Sequence, residues 1–255
     1  MNPLVVGLVV FACTFGGVLL GMWLRAVLPA EHLNGASEDT IKVGIALIAT
    51  MTALVLGLVT ASAKSSFDGV DAGVKESAIG ILTLDRALAR FGPETREIRL
   101  QLSKIAETRV ETIWPPAADA TVQLDPFHAG AELGPERIAD AIRALHPDSD
   151  SQRAIQSRAL DLAEGMLRDR WLVVASTESS IPMPFLVILL FWLTITFVSF
   201  GLFAPRNATV LSVLFVCAVS VGSAVFLVLE MDGPFTGLLR VSADPLRYAL
   251  EHINQ

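Results

Sequence analysis

Residues 42–64 read KVGIALIATMTALVLGLVTASAK. Between the two lysines lies an uncharged run, residues 43–63. A helix needs about 20 apolar residues to cross a hydrocarbon core about 30 Å thick. The run is therefore read as a transmembrane helix, with Lys42 and Lys64 snorkelling toward water at its ends. Outward from it, three more windows of the same length are found at residues 3–24, 181–203 and 208–229. Arg25 stops the first, Arg206-Asn207 marks a tight turn between the last two, and Glu230 ends the fourth. Trp23 and Trp171 suit the interfacial belt, whereas Trp192 falls mid-span and is read as packing.

Composition agrees. Hydrophobic residues make up 53% and charged residues 18%, with mean hydropathy +0.57, against roughly half and a quarter in soluble domains. The 26 acidic and 19 basic residues leave a net charge of −7. That balance argues against nucleic acid, which calls for a basic face to neutralise phosphates. Cys13 and Cys217 both lie inside apolar runs and are read as buried free thiols. The first window has no basic start and too long an apolar run for a signal peptide, so it is expected to remain as a mature helix.

Four spans put both termini on one side. Near the span ends, that side carries Lys64, Lys75, Arg168, Arg170, Arg240 and Arg247, and the other carries Arg25, Lys42 and Arg206. The positive-inside rule places the termini in the cytoplasm. The fold expected is thus an all-α membrane protein, with four transmembrane helices and a helical cytoplasmic extension between the second and third. Its parts are residues 1–63 (spans one and two), 64–180 (cytoplasmic region), 181–230 (spans three and four) and 231–255 (cytoplasmic tail).

Within residues 65–180, Val70, Val74, Ile81, Leu84 and Leu88 recur every three or four positions, a helical stripe. No glycine–proline break separates Lys64 from Phe91, so the second span is expected to continue as one long helix until Gly92-Pro93. A helix with the stripe Ile98, Leu102, Ile105 and Ile113 follows, ending at Trp114-Pro115-Pro116. Residues 117–134 read as an irregular loop and 135–145 as a short helix. A further helix through Leu160, Met166 and Leu172 is capped by Ser149 or Ser151.

The chain shows no glycine-rich phosphate loop, no nucleophile elbow and no metal-ligand spacing. His32, His128, His146 and His252 are scattered, so neither catalysis nor a cofactor or metal is expected. The polar residues of the spans are more informative. Ile45, Ala49, Ala53, Gly57, Thr60 and Lys64 share one face of the second helix. Such a small-residue stripe serves close helix packing in lipid, or lines an oligomeric pore with a ring of Lys64 at its mouth. Glu230 ends the fourth helix, where the macrodipole disfavours an acid. Two readings account for it: an ion pair with Arg168, Arg170 or Arg240, or a cation site with Asp232.

Several strings resemble the bestrophin-like domain family of bacterial membrane proteins. They are Leu28-Pro29-Ala30-Glu31-His32-Leu33, Ala61-Ser62-Ala63-Lys64-Ser65-Ser66-Phe67-Asp68 and Leu84-Asp85-Arg86-Ala87-Leu88. Phe91-Gly92-Pro93-Glu94, Ser199-Phe200-Gly201-Leu202-Phe203-Ala204-Pro205-Arg206-Asn207 and Leu229-Glu230-Met231-Asp232-Gly233-Pro234-Phe235 complete the set. The family is named for a distant similarity to bestrophins, pentameric anion channels whose second helix carries bulky apolar residues at the pore neck. Aligned on Val59-Thr60, the neck would fall on Ile45, Ala49 and Ala53. Two of these are alanine, a departure from the bulky pattern, and no acidic run matches the bestrophin calcium clasp.

The resemblance implies an oligomeric ion channel, pentameric by analogy, in the bacterial inner membrane and passing anions such as chloride. The rival expectation is a non-conducting scaffold or sensor whose cytoplasmic helices bind a partner.

Overall fold

A computed structural model of the chain describes residues 2–29, 35–115, 134–175 and 181–253. Those residues form eight α-helices and no strand: α1 (Pro3–Val27), α2 (Gly35–Phe91), α3 (Arg96–Ile113), α4 (Pro135–Arg143), α5 (Asp150–Ala175), α6 (Met183–Phe203), α7 (Ala208–Met231) and α8 (Asp244–His252). Four of them, α1, α2, α6 and α7, are long and apolar enough to cross a membrane. The loop expected at residues 117–134 lies outside the described residues, apart from Gly134, which precedes α4.

The chain divides into two compact units, residues 1–66 with 179–238 and residues 67–178 with 239–255. In the first, α1 packs closely against α6 and α7. The buried face of α1 is Gly7, Val10, Thr14, Gly17, Val18 and Gly21, spaced at three and four residues so that all point one way. Three of the six are glycines because the partner backbones leave no room for a side chain. A Cβ on Gly21 would fall on the Val198 carbonyl oxygen and lie 2.8 Å from the Leu202 nitrogen, and one on Gly201 would lie 2.9 Å from the Val18 carbonyl carbon. At the other end of α1, a Cβ on Gly222 would stand 2.9 Å from the Gly7 oxygen. Lipid tails are as apolar as leucine, so such close approach, with the dispersion contacts it brings, holds spanning helices together. Around these crossings Val10, Leu189, Leu193 and Val225 form one apolar cluster, and Val18, Phe197 and Ala218 another.

Helix starts and stops follow local chemistry. The Asn207 side chain caps α7 by accepting from Val210 N at 2.8 Å, and Asn2 caps α1 through Leu4 N at 3.0 Å. Pro182 stands at the N-cap of α6, where its fixed φ of −63° suits the turn into the helix. Gly92, at φ 151°, breaks α2 in a conformation that L side chains rarely adopt, and Pro93 opens the 3-10 turn that leads to α3.

The second unit is built on residues 67–91 of α2. Its stripe of Val70, Val74, Ile81, Leu84 and Leu88 is buried, as the periodicity requires. Ile98, Leu102 and Ile113 of α3 are buried as well, and so are Ile138 and Ile142 of α4. Asp85 is fully buried and takes a bidentate pair from Arg99, 2.7 Å to Nε and 3.0 Å to Nη2. The carboxylate raises the Arg99 pKa above its ordinary value, chiefly through that hydrogen bond and against the opposing effect of partial burial. Arg109 Nη1 donates to Ser77 Oγ at 3.0 Å, and Gln152 Nε2 to the Phe91 carbonyl at 2.9 Å. Ser149 caps α5 by accepting from Gln152 N at 3.2 Å. Residues 231–255 include α8, which packs on α3; Trp114 Nε1 donates to Val241 O at 2.8 Å beside that contact.

Candidate functional site

The spanning part of α2 has three faces. Thr52 and Ala63 are buried, and Val55, Leu56 and Val59 lie partly buried against the clusters of α6 and α7. These positions are separated by three, four or seven residues and form one stripe. A second face carries Val43, Leu47, Met51, Leu54 and Leu58, all large and 48–74% exposed. Between the two lie Ala49, Ala53, Gly57, Thr60 and Lys64, the small-residue stripe singled out from the sequence.

On that stripe Ala53, Gly57 and Lys64 are exposed, while Ile45, Ala49 and Thr60 are half-buried. A Cβ on Gly57 would meet nothing within 4 Å, nor would one on Gly44. Gly44 and Gly57 of α2 are thus not used for close approach within the protomer. That role belongs to Gly7, Gly17 and Gly21 of α1 with Gly201 and Gly222, which the sequence reading did not single out. Gly17 and Gly21 stand four apart in an apolar helix, the spacing that favours such crossings, and this was the available signal.

The Thr60 hydroxyl donates to the Leu56 carbonyl at 2.7 Å, and Thr50 donates to Ala46 at 2.8 Å. A hydroxyl has one proton, so Thr60 presents lone pairs outward. An anion seeks donors. Any preference for anions along this stripe therefore falls to Lys64, with Asp68 one turn further along the helix.

At the end of α7, Glu230 is buried at 5% exposure. Its Oε2 accepts from the Leu238 N–H at 2.5 Å. Gly237, at φ 82°, brings its backbone so near that a Cβ there would lie 2.8 Å from the Glu230 carboxyl carbon. The chain after the helix therefore folds back over the carboxylate, and Glu230 organises the turn. Asp232 is the half-buried C-cap residue of α7. Arg240 is exposed in the second unit. Arg168 and Arg170 fall on α5, with side chains outside the described residues. Among the described residues, no group of His, Cys, Asp and Glu is arranged to hold a metal ion.

The sequence model of the Bestrophin-like domain matches residues 12–246. The chain belongs to the Bestrophin-like family. The match runs from within α1 to α8 and so takes in both the α2 stripe and the Glu230 turn. No curated protein and no solved structure matches the chain.

Proposed function

We propose that this bestrophin-like protein is an oligomeric ion channel of the bacterial inner membrane, with both termini and the second unit on the cytoplasmic side. The observation that carries the reading is the unpacked small-residue stripe of α2, next to a face of large apolar side chains. Against lipid, Ala53 and Gly57 forgo most of the contact that leucine would make; in the protomer Ala53 is exposed, and a Cβ on Gly57 meets nothing within 4 Å. Around a central axis the same residues leave room for hydrated ions, while Val43, Leu47, Leu54 and Leu58 face lipid or a neighbouring subunit. Family membership supports the same reading. A pentamer is the assembly that the distant resemblance to bestrophins suggests.

Ile45, Ala49, Ala53, Gly57, Thr60 and Lys64 line the pathway in this proposal. Lys64 selects for anions such as chloride, since a ring of ammonium groups concentrates them at the mouth, against the opposing charge of Asp68 one turn along the same face. Alanines where bestrophins are bulky permit a wider or differently placed constriction. Glu230 with Asp232 anchors the end of α7, where the Leu238 N–H meets the carboxylate.

Purified protein in planar bilayers under a chloride gradient tests the reading. The expected reversal potential favours chloride, and Lys64→Glu shifts it toward the cation value. An unchanged reversal potential in the variant removes Lys64 from the pathway. Absence of conductance in a correctly assembled parent protein overturns the channel and leaves the scaffold reading.

A further inference from the structure

One corner of the first unit joins α1 to the turn between α6 and α7 by two crossed hydrogen bonds. Arg25, in the last turn of α1, donates from Nη1 to the Ala204 carbonyl at 2.5 Å. Arg206 reaches back from the turn and donates from Nη2 to the Met22 carbonyl at 2.6 Å. Each guanidinium thus neutralises carbonyls at the C-terminal end of a spanning helix, where the macrodipole favours a cation. The exchange also brings two exposed cations to one corner, where an anion would meet both.

The described residues pair no carboxylate with either arginine, and Glu38 and Asp39 both act on Lys42. Other arginines meet acids: Arg99 pairs with Asp85, Arg143 with Asp140 and Glu164, and Arg153 with Asp150. Glu38, at the start of α2, is engaged by Lys42 at 2.7 Å, and that ammonium stands 5.9 Å from the centre of the Phe203 ring. A third cation therefore approaches the same end of α6. A guanidinium has five N–H donors in a planar fork that matches phosphate, and the two carbonyl bonds leave most of them available.

The position narrows the choice of anion. α1, α6 and α7 are each long and apolar enough to span, and this corner lies at the ends of α1 and α6 and the start of α7. Phe200, one turn before Ala204, is 45% exposed, and Trp23 on the last turns of α1 is 59% exposed. Exposed aromatics at that depth suit the boundary between acyl chains and headgroups.

We propose that Arg25 and Arg206, with Lys42 nearby, hold the phosphate of an anionic phospholipid, whose acyl chains run down the apolar surface below Phe200. Basic pockets between spanning helices at the cytoplasmic face recognise lipid headgroups by the same chemistry; in the topology proposed above, this corner meets the other leaflet.

The test uses the full chain purified in mild detergent. It is titrated with dioleoylphosphatidylglycerol, dioleoylphosphatidylcholine or inorganic phosphate, and read by native mass spectrometry and by melting temperature. We expect retained phosphatidylglycerol and a rise in melting temperature with that lipid alone. Each basic group near a lipid surface contributes about fivefold, so Arg25→Gln with Arg206→Gln is expected to weaken phosphatidylglycerol about thirty-fold. Glutamine removes the charge and keeps a side-chain N–H donor at each position. The double lysine variant is expected to retain the lipid, as is a Lys75→Gln/Arg153→Gln control of equal charge. If the double glutamine variant fails to fold, Arg206→Gln alone is expected to lose about fivefold. Unchanged phosphatidylglycerol binding in the glutamine variants overturns the proposal. So does equal binding of phosphatidylcholine, and so does an equal stabilisation by inorganic phosphate without retained lipid.

Discussion

Replacing Gly21 by alanine tests whether the α1–α6 crossing is set by backbone contact. In a helix, glycine to alanine ordinarily stabilises by about 0.5–1 kcal/mol, since glycine loses more backbone entropy on folding. At Gly21 the new methyl would fall on the Val198 carbonyl oxygen, 2.8 Å from the Leu202 nitrogen and 3.0 Å from the Gly201 carbonyl carbon. All three atoms are backbone, so no rotamer change relieves the overlap and the helices must part by roughly 1 Å. A radial gap of that order forfeits a quarter to a half of each dispersion contact it opens, and overpacking in tight interiors costs about 1–3 kcal/mol.

The expected net loss is about 2 kcal/mol, opposite in sign to the propensity effect. Gly16 provides the control on the same helix, because a Cβ there meets nothing within 4 Å; Gly16→Ala should be neutral or stabilising. Both variants are unfolded reversibly by adding SDS to mixed micelles, followed by the fluorescence of the chain's four tryptophans. A third variant, Gly201→Ala, should behave like Gly21→Ala, and the double variant should lose less than the sum because one separation relieves both overlaps. If Gly21→Ala is as stable as Gly16→Ala, close backbone contact does not hold this crossing and the packing account fails.

In the second unit, Asp85→Asn should destabilise by about 3–5 kcal/mol, since it strands the half of a buried pair that Arg99 contributes. Asp85→Leu with Arg99→Leu should recover much of that loss, and a double-mutant cycle by urea denaturation measures the coupling. No recovery would show that the pair matters through further partners. At the end of α7, Gly237→Ala places a methyl against the Glu230 carboxylate at a φ that alanine adopts only under strain. About 2 kcal/mol of thermal stability should go with it. In the proposed channel, Glu230→Gln should likewise lower thermal stability or weaken assembly before it alters conduction. A variant that melts like the parent yet conducts differently would make Glu230 a pathway residue.

Four spans, their approximate limits and the unbroken passage of α2 to Phe91 were legible in the chain. The reasons are additive and local: about 20 uncharged residues satisfy the hydrocarbon core by length alone, and Gly92-Pro93 ends a helix whatever surrounds it. The amphipathic stripe from Val70 to Leu88 was legible for the same reason, since periodicity reports which side chains share a face. It does not report what that face meets. Only the tertiary structure distinguishes Gly7, Gly17 and Gly21 of α1, which approach the backbones of α6 and α7, from Gly57 of α2, which has nothing near it, because contact between helices depends on crossing geometry and not on spacing. For Glu230, sequence and dipole argued that its charge needs compensation, but not how. The fold supplies a backbone N–H eight residues on, and Gly237 is the residue small enough to let that backbone close over the carboxylate.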